Sequence, residues 1–100
     1  MLQVRLRFFG PMHDVIAGQR SEVTMPQDAT VGDLLAHLSS TYGEKFNHRV
    51  LTSERKPQTY VEMFVDGSAM DRENLDRKLA PEGTTTTEVW FYVLLDSVGG

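Results

Sequence analysis

The chain has 100 residues, 40% of them hydrophobic and 24% charged, which is enough for one small domain and too little for two lobes with a cleft between them. The absence of cysteine excludes disulfides, thiolate metal centres, iron–sulfur clusters and cysteine nucleophiles. Ten Lys and Arg stand against fourteen Asp and Glu, a net charge of −4 with no basic stripe, so nucleic acid is not an expected partner.

Leu2, Val4, Leu6 and Phe8 alternate with Gln3, Arg5 and Arg7, the period-2 pattern of a half-buried strand. That alternation is unlike the apolar core of a secretory signal, and a cytoplasmic location is expected. Gly10-Pro11 ends the strand, Met12 to Ala17 predicts a short helical turn closed by Gly18, and a second strand is expected over Arg20 to Met25 with Val23 and Met25 inward. From Thr30 the period changes. Val31, Leu34, Leu35, Leu38 and Tyr42 form one stripe of an amphipathic helix, which Thr30 can cap, Asp33 supports at its positive end and Gly43 stops.

Glu44 to Thr59 is too long for a structureless loop in so small a domain. Phe46 and Val50 share a helical spacing and predict a turn of helix there, followed by a solvated, mobile stretch over Ser53-Glu54-Arg55-Lys56-Pro57. Tyr60 to Val65 reads as a strand with Val61, Met63 and Val65 on one face, ended by the turn pair Asp66-Gly67. Met70 and Leu75 flank Asp71 at the spacing of a hydrophobic staple, which predicts a short helix over Arg72 to Leu79, stopped by Pro81. Thr84 to Thr87 and the run Glu88 to Leu95 suit a central strand, apolar on both faces; the run is too short to cross a bilayer, and no membrane partner is expected. The order β, β, α, β, short helix, β predicts one α+β domain with a helix packed on a single mixed sheet.

Conventional catalytic constellations are thin. His13, His37 and His48 share no ligand spacing for a metal, and His37 reads as a solvated helix residue. No Gly-x-Gly-x-x-Gly or Gly-Lys-Ser/Thr phosphate loop and no Gly-x-Ser-x-Gly elbow is present, so no cofactor is expected on this chain. Tyr60, Phe64, Trp90 and Tyr92 either form an exposed docking patch or fill both faces of the sheet.

The most informative feature is the final pair, Gly99-Gly100. A terminal glycine offers a carboxylate with no side chain beside it, and a second glycine keeps the approach thin enough to thread a narrow channel in another protein. A carboxylate donates its acyl group only once a better leaving group is installed, which coupling to ATP as an acyl adenylate would do. The plain alternative is a flexible end without a role.

Taken together, the strand from residue 2, the turn near Gly10, the helix start Asp28-Ala29-Thr30-Val31-Gly32-Asp33-Leu34-Leu35, the Val65-Asp66-Gly67 turn, the apolar last strand and the Gly99-Gly100 end resemble the β-grasp sulfur carriers. These include the small subunit of molybdopterin synthase, the thiamine sulfur carrier and the related archaeal ubiquitin-like modifiers. The resemblance implies a ubiquitin-like β-grasp domain over 1–95, a mixed sheet packed by one main helix, and a flexible diglycine tail over 96–100. It implies that Gly100 is adenylated by a ubiquitin-activating-type enzyme and converted to a thiocarboxylate, with Val98 and Gly99 threading the partner's channel. The sulfur would pass to an accepting synthase subunit or enzyme in the biosynthesis of molybdopterin or another sulfur-containing metabolite. ATP and Mg²⁺ would belong to the activating partner, so the chain would be a carrier and not an enzyme. Phe64, Trp90 and Tyr92 are the expected partner-binding residues. Two alternatives stay open: a modifier joined to lysines through Gly100, and a non-covalent β-grasp adaptor.

Overall fold

The computed structural model describes residues 1–12 and 15–94, Ala17 by its backbone alone. The elements in chain order are β1 (Leu2–Phe9), β2 (Arg20–Met25), α1 (Val31–Tyr42), α2 (Glu44–Val50), β3 (Val61–Val65), β4 (Ser68–Ala69) and β5 (Thr86–Val93). The strands form one five-stranded sheet in the order β2-β1-β5-β3-β4. β5 takes the centre, parallel to β1 and antiparallel to β3, as its apolar character on both faces requires. The expected mixed sheet with one main helix is therefore present.

Alternation decides the two faces of the sheet. Leu2, Val4, Leu6 and Phe8 of β1, Val61, Met63 and Val65 of β3, and Val89, Phe91 and Val93 of β5 point inward. They form one cluster with Val31, Leu34, Leu35 and Leu38 of α1 and Phe46 and Val50 of α2. Phe8 and Phe91 lie side by side in the parallel register and stack at 4.8 Å. Thr87 is also buried; its hydroxyl donates to Asp66 Oδ2 at 2.6 Å, and Asp66 Oδ1 accepts the Glu88 N–H at 2.9 Å.

The start of α1 is held twice. Thr30 Oγ1 accepts the Asp33 N–H at 3.1 Å while Asp33 Oδ2 accepts the Thr30 N–H at 2.9 Å, a reciprocal box contributing about 1 kcal/mol. The next N–H groups, of Val31 and Gly32, donate to the carbonyls of Arg77 and Leu75 at 2.9 Å each. This arrangement overturns the helix expected over Arg72 to Leu79, which is a series of turns. Carbonyls committed to the first turn of α1 are not free for an i→i+4 ladder of their own, and a helix so short has little intrinsic stability to compete. Leu79 N–H donating to Ala29 O at 3.0 Å continues the same tether.

Two further expectations are corrected. Ser53 to Pro57 is not wholly solvated: Pro57 is buried and bridges Leu51, and Thr52 N–H donates to Lys56 O at 2.7 Å, which closes the stretch on itself. Strand β5 stops at Val93 and β3 begins at Val61, although Leu94 N–H still reaches Tyr60 O at 2.8 Å. Among the described residues of 12–19, the Val15 and Ile16 amides bond to Met12 O, and a 3-10 turn spans Ala17–Gln19.

Candidate docking face and the approach to the terminal glycines

The outer face of the sheet carries no helix among the described residues, and its side chains follow from the same alternation. β5 presents Thr86, Glu88, Trp90 and Tyr92, β3 presents Glu62 and Phe64, and β1 presents Gln3, Arg5, Arg7 and Phe9. At the end where Phe9 meets Tyr92 in register, the polar half of the pattern gives way to rings. Phe9 stacks on Tyr92 at 4.5 Å, Phe64 meets Tyr92 edge-on at 5.5 Å, and Phe9 meets Trp90 edge-on at 5.6 Å. All four rings are half-buried with no further layer over them, and each such pair contributes about 1 kcal/mol beyond its burial. The indole Nε1 of Trp90 is covered and has no hydrogen-bond partner, an uncommon state for a tryptophan donor.

The fold brings the expected partner-binding residues, Phe64, Trp90 and Tyr92, together on this face. It separates Tyr60 from them: the Tyr60 hydroxyl donates to Arg49 O of α2 at 3.0 Å, and its ring packs against the core. Phe9 was missed, although extending the alternation of β1 by one residue places it beside Arg5 and Arg7. The rim is charged. Arg5 pairs with Glu22 at 3.4 Å, and the Arg7 guanidinium lies 5.0 Å from the centroid of Phe9 and 5.9 Å from that of Trp90.

The aromatic end of the face is the end at which β5 stops. Beyond Tyr92, Val93 occupies its core position beside Val61, and Leu94 is 56% exposed. Val98, Gly99 and Gly100 lie outside the described residues, as does His13. His37 is exposed, and His48 sits 3.4 Å from Glu44 on the surface of α2. Among the described residues no cluster of three or more His, Asp or Glu could hold a metal ion, and no helix is long and apolar enough to cross a membrane.

The architecture has close counterparts among solved structures. SAMP1 from Haloferax volcanii superposes with a TM-score of 0.74 at 19% identity, over 95% of this chain and 98% of that one. A protein described as molybdopterin converting factor, subunit 1, from Pyrococcus furiosus gives 0.69 at 20% identity, over 95% of this chain and all (100%) of the other. The fold is the ubiquitin-like β-grasp. Small archaeal modifier protein 1 from Methanosarcina acetivorans shares it at a TM-score of 0.65 and 14% identity, with 97% of each chain covered. At such identities the likeness concerns the fold, which is the one the sequence resemblance implied. No family model matches the sequence, and no curated protein does.

The rings form a half-buried apolar area near the end of β5, bordered by the charged side chains of Arg5, Arg7 and Glu22.

Proposed function

We propose that this chain is a sulfur carrier whose Gly100 carboxylate is activated and thiolated by a partner enzyme. The observation that carries the reading is the placement of the aromatic face. Phe9, Trp90 and Tyr92 lie at the end of β5 from which the chain runs on in sequence to Gly99-Gly100, which supports a partner that holds the rings and acts on the terminal carboxylate. In the proposed sequence a ubiquitin-activating-type enzyme, using its own ATP and Mg²⁺, forms the Gly100 acyl adenylate and releases pyrophosphate. Sulfur at the hydrosulfide level then displaces AMP and leaves a thiocarboxylate. That sulfur is delivered to an accepting synthase subunit or enzyme in the biosynthesis of molybdopterin or a related sulfur-containing metabolite. Val98 and Gly99 lie extended in the partner's channel, and the chain itself is co-substrate rather than catalyst.

The intact mass of the protein from its native cells, compared with a sample treated with ATP, a sulfur source and the activating enzyme, tests this. The expected result is a gain equal to exchanging one oxygen for sulfur, absent when Gly100 is deleted. An unchanged mass, with the enzyme active on another carrier, overturns the proposal and favours a non-covalent adaptor. The likeness to small archaeal modifier protein 1 favours one second reading, attachment of Gly100 to lysines of other proteins. Isopeptide-linked conjugates that vanish on deletion of Gly100 would establish it.

A further inference from the structure

The β1–β2 side of the outer face has a charge arrangement that the fold alone does not call for. In the antiparallel register Arg7 stands directly opposite Arg20, a like-charged cross-strand pair of the kind that destabilises a sheet. Its neighbour one step along, Arg5 opposite Glu22, is matched and ion-paired. Neither Arg7 nor Arg20 has a carboxylate partner among the described residues: Arg7 lies against the rings of Phe9 and Trp90, and Arg20 is exposed. Both line a shallow depression of about 520 Å³ together with Arg5, Ser21, Glu22 and Glu88. Glu22 already serves Arg5, and Glu88 lies opposite Arg5 in the parallel register, so the unmatched positive charge sits on the Phe9 side of the depression. The net charge of −4 makes a chance excess of cations there harder to expect.

We propose that Arg7 and Arg20 are receptors for carboxylates on an acidic segment of a partner protein, one whose apolar side chain covers the ring floor of Phe9, Trp90 and Tyr92. The proposal rests on the reading of the outer face as the docking surface and names the chemistry of what docks. Contact with two rings limits the wandering of the Arg7 guanidinium, so less freedom is lost when a carboxylate binds. The apolar floor continuous with the guanidinium favours a peptide, because a free anion would leave the rings uncovered. Charge at such a rim sets orientation and encounter rate and discriminates against basic partners.

Trp90, the only tryptophan in the chain, lies in this site, so its fluorescence reads occupancy directly. The full chain is titrated with a blocked peptide in which Asp residues flank a Phe, with its Asn counterpart, with its Lys counterpart, and with inorganic phosphate. The expected result is saturable binding of the Asp peptide, weakened about tenfold by the Asn change, by Arg7→Gln with Arg20→Gln, or by raised salt. Arg20→Glu should lose the Asp peptide and gain the Lys peptide, a reversal that misfolding cannot produce. Equal binding of the Asp and Asn peptides, no binding of either, or phosphate matching the peptide would each overturn the proposal. Phe64→Leu separates the two levels. If it weakens both peptides while the arginine changes affect neither, the docking face stands and the carboxylate receptors fall. The titration uses neither ATP nor Gly100, so its outcome is independent of the sulfur-loading test.

Discussion

Gly10 faces the backbone of Val93 so closely that a Cβ on it would lie 2.2 Å from the Val93 carbonyl oxygen. Its φ of +111° is also one that side chains rarely adopt, so β1 leaves the sheet and β5 ends at one shared glycine-dependent contact. Gly10→Ala is expected to lower stability by about 3 kcal/mol, from backbone strain plus displacement of Val93. Urea unfolding checks this, and an unchanged midpoint would show that the two strand ends part without penalty.

Adjacent residues of β5 separate folding from docking. Phe91 is fully buried and stacked on Phe8, so Phe91→Ala is expected to cost about 4 kcal/mol. Tyr92 stands on the open face, and Tyr92→Ala should cost about 2 kcal/mol, from its pairs with Phe9 and Phe64, while weakening association with the proposed activating enzyme. Thermal unfolding and a binding titration on both variants check the contrast; equal destabilisation would mean the outer rings are core.

The capping box of α1 gives a smaller effect. Thr30→Ala removes the acceptor for Asp33 N–H, yet Val31 and Gly32 keep their bonds to Arg77 O and Leu75 O. The loss is therefore expected to stay near 1 kcal/mol. A much larger drop in the urea midpoint would mean that the cap also holds the 75–79 segment in place.

Asp66 joins a turn to the central strand through Thr87 and Glu88. Asp66→Ala leaves the buried Thr87 hydroxyl with only a 3.5 Å contact to Leu79 O, and a loss of about 2 kcal/mol is expected. Combining it with Thr87→Val should cost less than the sum, because the orphaned hydroxyl is then gone. Strict additivity in the double-mutant cycle would refute the coupling.

Lys56 donates to Glu73 Oε1 at 2.7 Å, and that hydrogen bond, with the charge of Glu73, holds the ammonium above the ordinary lysine range. A cation so raised contributes fully below its unfolded value and loses the contribution as pH climbs through the folded one. The pair is exposed, so the readout is the NMR titration of Lys56 itself rather than stability. Its midpoint should fall toward the ordinary range in Glu73→Gln, and no movement would remove Glu73 as the cause.

The sequence by itself determined the elements whose signal is local: β1 and β2 from alternation, β5 from its β-branched and aromatic run, α1 from its stripe with Thr30 and Gly43 at its ends, and the turn at Asp66-Gly67. Phe64, Trp90 and Tyr92, the expected partner-binding residues, share one face of the sheet once β3 and β5 are paired. Tertiary structure decided what depends on distant partners. The 72–79 segment carries a helical signature but gives its carbonyls to the start of α1, a competition visible only once the two meet. Tyr60 shares the composition of the aromatic face, yet its hydroxyl takes an acceptor on α2. The Arg7–Arg20 pairing was hidden for the same reason: the residues are far apart along the chain, and only the register of two strands makes them neighbours.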